Sequence, residues 1–198
     1  MNKNLLKFAV IVCSTMTSLL IACGNKSNNP AESQANDSTL VINLDSIVIK
    51  PYMAFGSSLA DVEKFMNENY ADWEVKNPDT LECIKQEEGY SWAHNYVNGK
   101  NGISFCFKDA DATNLALVAY DYFFPMPLEP IMAELDRLGF EKKGEVKFED
   151  YNADITYLYL SADEKNEVLL SSWEKDGGSW AISFQLTDKN DLNLLVNQ

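Results

Sequence analysis

The chain is 198 residues long, with 16 basic residues, 30 acidic residues and one histidine, a formal charge of −14 at neutral pH. That balance repels polyanions, so nucleic acid is excluded as a partner, and so is an anionic lipid surface held by electrostatics. An aromatic content of 12% gives enough apolar mass for one ordinary domain or two small packed halves.

The first 22 residues predict a secretory signal: Lys3 and Lys7 give a positive start, Leu5 to Ile21 a mostly apolar run, and Ala22 a small residue at its end. The Ser14-Thr15 and Thr17-Ser18 pairs break the run. A spanning helix wants about 20 apolar residues, so the breaks argue for a cleaved signal. Leu20-Ile21-Ala22-Cys23 resembles the lipobox of bacterial lipoproteins: a branched apolar residue, a tolerant position, a small residue, then cysteine. The resemblance implies cleavage before Cys23, a diacylglycerol on its thiol and acylation of the new amine. Each buried methylene contributes about 0.8 kcal/mol, so two or three chains anchor stably where one holds weakly. Ordinary secretory cleavage is the other reading and leaves Cys23 a free thiol. Either cut leaves 14 basic against 30 acidic residues, a formal charge of −16.

Residues 23–38 are then the lipidated cysteine and a tether: Gly24 to Ser38 is rich in Asn and Ser, buries nothing, and spans about 20 Å by random-coil scaling. A first α+β unit is expected over residues 39–124. Thr39 to Ile49 reads as an edge strand or lead-in ended by Pro51. Ser58 caps a helix over Leu59 to Tyr70, with Asp61 complementing the cap and Leu59, Val62, Phe65, Met66 and Tyr70 forming one apolar stripe. Strands follow at Trp73 to Lys76, Leu81 to Gln86, Tyr90 to Val97, Ile103 to Lys108 and Leu115 to Phe124, joined by turns such as Asn77-Pro78-Asp79 and Asn98-Gly99. A second unit is expected over residues 125–198. It opens after Phe124-Pro125-Met126-Pro127 with a helix carrying Leu128, Ile131, Met132, Leu135 and Leu138, closed by Gly139. Its strands are Phe140 to Phe148, Asp154 to Leu160, Glu167 to Glu174 and Ser179 to Leu186, and Leu192, Leu194 and Leu195 are expected to fold back on the body.

The halves repeat more than their order. Leu59, Val62 and Met66 precede Leu128, Ile131 and Leu135 by 69 residues. Phe105-x-Phe107 and Leu115-x-Leu117 match Leu158-x-Leu160 and Val168-x-Leu170 at an offset of 53, which assigns about 16 extra residues to the first half, in Glu88 to Gly102. The predicted fold class is therefore α+β, two tandem helix-plus-antiparallel-meander units with the helices on one face of the sheet or sheets. The Phe55-Gly56-Ser57-Ser58 opening, Val62 and the Phe-x-Phe hairpin resemble uncharacterised lipoproteins of Bacteroides-type bacteria. More loosely, the helix-then-meander halves are similar to the beta-lactamase-inhibitor-protein-like architecture of envelope proteins. The lipoprotein resemblance implies a cell-envelope location. Gly24-Asn25-Lys26-Ser27 lacks the acidic cluster of surface-exported members, which points to an outer-membrane anchor facing the periplasm.

Catalytic patterns are scarce. His94 is the single histidine, and no serine sits in a G-x-S-x-G turn. One His and the two separated cysteines Cys83 and Cys106 fall short of a zinc set, so neither metal nor cofactor is expected. Asp109-x-Asp111-x-Thr113 starts like a calcium loop but has Asn114 and Tyr120 where glycine and a bidentate Glu belong, and reads as a hairpin turn. Cys106 alternates away from Phe105 and Phe107, and both a Cys83–Cys106 bridge and two separate thiols are open. Tyr90, Trp92, His94 and Tyr96 alternate and so share one strand face: either an open stacking platform for a glycan or a protein partner, or rings covering the helix side of the sheet. The sequence thus reads as a lipid-anchored, non-catalytic envelope protein with a binding role. An envelope hydrolase using paired carboxylates and a purely structural lipoprotein are the alternatives.

Overall fold

The computed structural model describes residues 49–86, 89–122, 128–148, 151–173, 178–189 and 191–195. The signal, Cys23, the tether and Thr39 to Val48 lie outside the described residues, as does the whole Phe124 to Pro127 break.

Helix α1 spans Leu59–Asn69, one residue short of the sequence expectation. Ser58 supplies the cap: its Oγ accepts the Asp61 amide at 3.4 Å and the Asp61 carboxylate accepts the Ser58 amide at 3.0 Å, satisfying two orphan donors at once. Val62 and Met66 bury against the sheet one turn apart. Helix α2 spans Leu128–Arg137 and buries Ile131 and Leu135 in the same way. Gly139 ends it at φ +86°, a left-handed turn that glycine adopts without a Cβ penalty.

The strands are β1 Glu74–Val75, β2 Glu82–Gln86, β3 Gly89–Asn98, β4 Asn101–Phe107, β5 Leu115–Tyr122, β6 Phe140–Glu145, β7 Ile155–Ser161, β8 Asn166–Trp173 and β9 Ser179–Leu186. They form one nine-stranded antiparallel sheet in the order β1-β3-β4-β5-β9-β8-β7-β6, with β2 also on β3. β1 and β2 share the outer lane of β3. Val75 stands opposite Tyr96 and Glu82 opposite Ala93, so six residues on the outer lane face two on β3, and the excess loops out around Asn77 to Thr80. At the other end of β3, Asn98 pairs with Asn101 across Gly99 at φ +62°, the hairpin that Asn-Gly predicts.

The two hairpins compared in the sequence both form, but at different places in their halves. β4 and β5 are the strands next to the centre of the sheet, because β5 pairs β9, whereas β7 and β8 lie one lane further out. Glu88 to Gly102 is accordingly no surface insertion: it contains β3, which is paired on both sides. A hairpin's internal spacing is a local property, and lane position is set by a partner far away in sequence.

The helices cover one face. Val62, Met66, Ile131 and Leu135 meet Tyr96, Phe105, Tyr120, Tyr159, Trp180 and Phe184 in one continuous cluster that runs through both halves. Upstream of α1, Ile49 to Tyr52 touches both helices: the Ile49 amide donates to Glu134 of α2 at 2.8 Å, and the Tyr52 ring lies 4.8 Å from that of Phe65 in α1. After β9 the chain crosses to the opposite face. The Asp188 amide donates to Glu167 at 3.2 Å, a 3-10 turn forms at Asp191–Leu194, and Leu195 packs with Val146, Leu158 and Leu160. Gly144 makes room for this, since a Cβ there would stand 3.1 Å from Leu195. Leu195 thus folds back as expected, while Leu192 and Leu194 stay 37% and 38% exposed.

Candidate functional site

Trp92, His94 and Tyr96 do share a face, but it is the face under the helices. Register fixes this: His94 stands opposite Phe105, and Tyr96 opposite Ile103, both in the helix-side core. Tyr96 and His94 are each 5% exposed with rings edge-to-face at 5.0 Å, and Trp92 is half-buried against the same cluster. Burial pushes the Tyr96 phenol up to about 12 and lowers the His94 imidazole below its ordinary range. Tyr90 stands opposite Lys85 in β3, and its side chain lies outside the described residues. The stacking platform is therefore not open at Trp92, His94 and Tyr96. These rings are core because alternation assigns a face without saying which face the helices take.

The cysteines also part company. Cys83 stands opposite Trp92 and Cys106 opposite Ala93, neighbours on β3 that point to opposite faces, so the thiols are separate and both free. Burial pushes the Cys106 thiol up to about 12, which keeps it an unreactive neutral group. Asp109 spends its carboxylate on its own turn, accepting the Thr113 amide at 2.9 Å and hydroxyl at 3.1 Å around Ala112 at φ +50°. Asp163 does likewise, accepting the Ser161 hydroxyl at 2.8 Å, and that bond first, with those from Lys165, holds its carboxyl down at about 2. Among the described residues no three His, Cys, Asp or Glu side chains gather as metal ligands.

On the face away from the helices, small and polar side chains fill the middle of the sheet between two apolar clusters, one with Ile84, Cys106 and Leu117 and the other with Val146, Leu158, Leu160 and Leu169. One row across the lanes reads Asn95, Ser104, Ala119, Ser183, Leu169, Leu158, and the next Gly102, Asp121, Ala181, Ser171, Thr156. All of the non-glycine members are buried. Two carboxamides here are fixed by carboxylates, which accept only: Asn95 Nδ2 donates to Glu82 at 2.6 Å, and Gln185 Nε2 donates to Glu167. Their oxygens, with Ser104 Oγ, meet no hydrogen-bond partner among the described residues.

Where this second face reaches its rim, a cleft of about 110 Å³ opens in the β6–β7 connection. Glu145, Lys147, Phe148, Tyr151, Asp154 and Thr156 are among the residues that line it. Behind it the rings form an edge-to-face chain, Phe148 to Tyr151 at 6.2 Å and Tyr151 to Trp173 at 5.5 Å, and Trp173 Nε1 donates to Asn152 at 3.2 Å. Its two carboxylates, Glu145 and Asp154, are exposed to water. A partly apolar wall beside solvated charges suits contact with a small polar group better than acid–base chemistry, which favours desolvated groups. Phe148 and Trp173 were legible as strand residues; the sequence pattern held no sign that their strands converge. The chain matches no family model, no curated protein and no solved structure.

Proposed function

We propose that the chain is a lipid-anchored, non-catalytic protein of the bacterial cell envelope, held in the outer membrane facing the periplasm. Its body meets a glycan or protein partner through the β6–β7 cleft rather than through the Trp92–Tyr96 row. The observation that carries this reading is Leu20-Ile21-Ala22-Cys23 closing an apolar run with a basic start. Among the described residues no helix is long and apolar enough to cross a membrane, so in this reading the acyl chains hold the protein there. Two of the three side chains most suited to nucleophilic work support a non-catalytic role, since His94 is enclosed by the core and the Cys106 thiol is buried and neutral, while the Cys83 thiol is exposed.

We also read the body as two tandem helix-plus-meander units joined edge to edge. The starts of α1 and α2 are 69 residues apart. Those of β1 and β6 are 66 apart, of β3 and β7 66, of β4 and β8 65, and of β5 and β9 64. The sheet order supports this, since it meets β5 against β9 and ends on the outer lanes of β1 and β6.

Mass spectrometry of the mature N-terminus tests the anchor: Cys23 carrying diacylglycerol is expected, and Cys23→Ala should move the protein from the membrane to the soluble fraction. An unmodified Cys23 on a membrane-free chain would end the reading. For the cleft, Tyr151→Ala should weaken partner binding while Trp92→Phe leaves it unchanged.

A further inference from the structure

Ile49 to Tyr52 is fastened almost wholly by side chains from distant parts of the chain. The Ile49 amide donates to Glu134 Oε1 at 2.8 Å, 85 residues away. The Lys50 amide donates to the Tyr70 hydroxyl at 3.0 Å, and the Lys50 carbonyl accepts from Tyr70 at 3.1 Å and from Tyr120 at 3.0 Å. The Tyr52 amide donates to Tyr120 at 3.4 Å, and the Tyr52 hydroxyl to Ser57 at 3.0 Å. Ile49 itself is 1% exposed in the helix-side core.

The three fastening residues sit on different elements. Tyr70 is the C-cap of α1, Tyr120 lies in β5, and Glu134 lies in α2. Glu134 is in turn gripped by Arg137 at 2.6 and 2.8 Å, so its carboxylate is held in place for the Ile49 amide. Tyr120 is fully buried, and burial holds its phenol well above its ordinary range, so it stays protonated and donates to Lys50 at any physiological pH.

We propose that Ile49 to Tyr52 is a mechanical clasp, through which a pull on the chain upstream of Ile49 is borne by α1, β5 and α2 together. Without it, a pull would fall first on the backbone bonds that tie Gly56 and Ser57 to Leu115 at 2.8 and 2.9 Å and Leu59 to Ala112 at 2.8 Å, and then on the Ser58 cap at the first turn of α1. With it, three amides and one carbonyl must release first. The use of the clasp in the cell rests on the lipid-anchored reading above, since only an anchored chain is pulled at this end. The fastening does not.

The test is optical-tweezer pulling on the purified, unacylated mature chain, with one handle on the Cys23 thiol, the other at the C-terminus, and Cys83→Ser to keep attachment single. The parent should show no extension before the body yields. Tyr70→Phe combined with Tyr120→Phe keeps both rings and removes both hydroxyls. It should add an early, reversible step of about 20 Å, the reach of the residues from Ile49 to Phe55, since Gly56 and Ser57 stay bonded to Leu115. That step should appear in the double variant's traces and be absent from the parent's. The same early step in the parent, or traces for the double variant that match the parent's, would overturn the clasp. Glu134→Ala provides a second probe if the double variant does not fold. Because the pulled chain carries no lipid, an unmodified Cys23 in cells would sink the anchoring reading and leave the pulling result standing.

Discussion

The two faces of the sheet are about equally buried and chemically unlike. Under the helices one row runs His94, Phe105, Val118, Phe184, Val168, Tyr159, while the row beside it on the other face runs Asn95, Ser104, Ala119, Ser183 and turns apolar only at Leu169 and Leu158. Equal burial therefore means unequal energy. Large apolar side chains remove far more surface from water than Ser or Ala, at about 25 cal/mol per Å², so the helix face carries most of the stability. The small side chains at the middle of the other face set shape and polarity while adding little, and its apolar contribution comes from Leu117, Leu158, Leu160 and Leu169 beside them.

The sharpest way to break this comparison is in the larger row. Phe105 is fully buried and edge-to-face with Tyr96 and Tyr52, and Phe105→Ala is expected to cost about 3–5 kcal/mol in urea unfolding. A cost below that of the serine substitutions considered further on would invert the ranking. Glu134→Ala comes next, at about 1.5–3 kcal/mol, because it strips a charged acceptor from the buried Ile49 amide and releases Arg137. The Arg137 guanidinium, foremost, and the Ile49 amide hold the Glu134 carboxyl below its usual range. That part of the stability is present above the ordinary carboxylate pKa and is lost as pH falls through the lowered folded value, which a pH series of urea midpoints reads directly.

His94 extends the same contrast into pH. Burial lowers its folded pKa, so the unfolded chain takes up the proton first. Its contribution is complete above about pH 6.5, declines as pH falls below that, and levels off once the folded imidazole also titrates. As the one histidine, it gives a single imidazole signal by NMR, expected to titrate below the free-peptide value. His94→Phe should flatten the slope of stability between that value and the ordinary one, leaving only the carboxylates to act at lower pH.

Much of this architecture was legible, because it is written in local periods. The Ser58–Asp61 cap, the stripe of Val62 and Met66, and the alternation of Trp180, Ile182 and Phe184 each depend on residues within one element, and each element stands within a few residues of its expected place. What failed to show was pairing. Nothing local tells β5 to pair β9, and the offset of 53 matched hairpins that lie in different lanes, with Phe105 on the helix face and Leu158 on the other. The candidate site suffered for the same reason. Alternation placed Trp92, His94 and Tyr96 on a common face correctly, and only the sheet's partners reveal that this face is the covered one. The Ile49–Tyr52 fastening was invisible because its acceptors lie 20 to 85 residues away.

The finest comparison lies within the second face itself, between two serines alike in burial. Ser171 is 3% exposed and its Oγ lies 3.0 Å from Thr156 Oγ1, whereas Ser104 is 0% exposed and its Oγ meets no partner among the described residues. Truncating Ser171 breaks a hydrogen bond and leaves the Thr156 hydroxyl buried alone, so Ser171→Ala is expected to cost about 1 kcal/mol. Truncating Ser104 removes a group whose desolvation no bond offsets, so Ser104→Ala should change stability by less than about 0.5 kcal/mol, with the sign toward stabilisation. Paired urea titrations of the two variants decide it. Equal costs would mean that the Ser104 hydroxyl is satisfied in solution, and the polar row would then be a bonded network rather than a floor of small side chains.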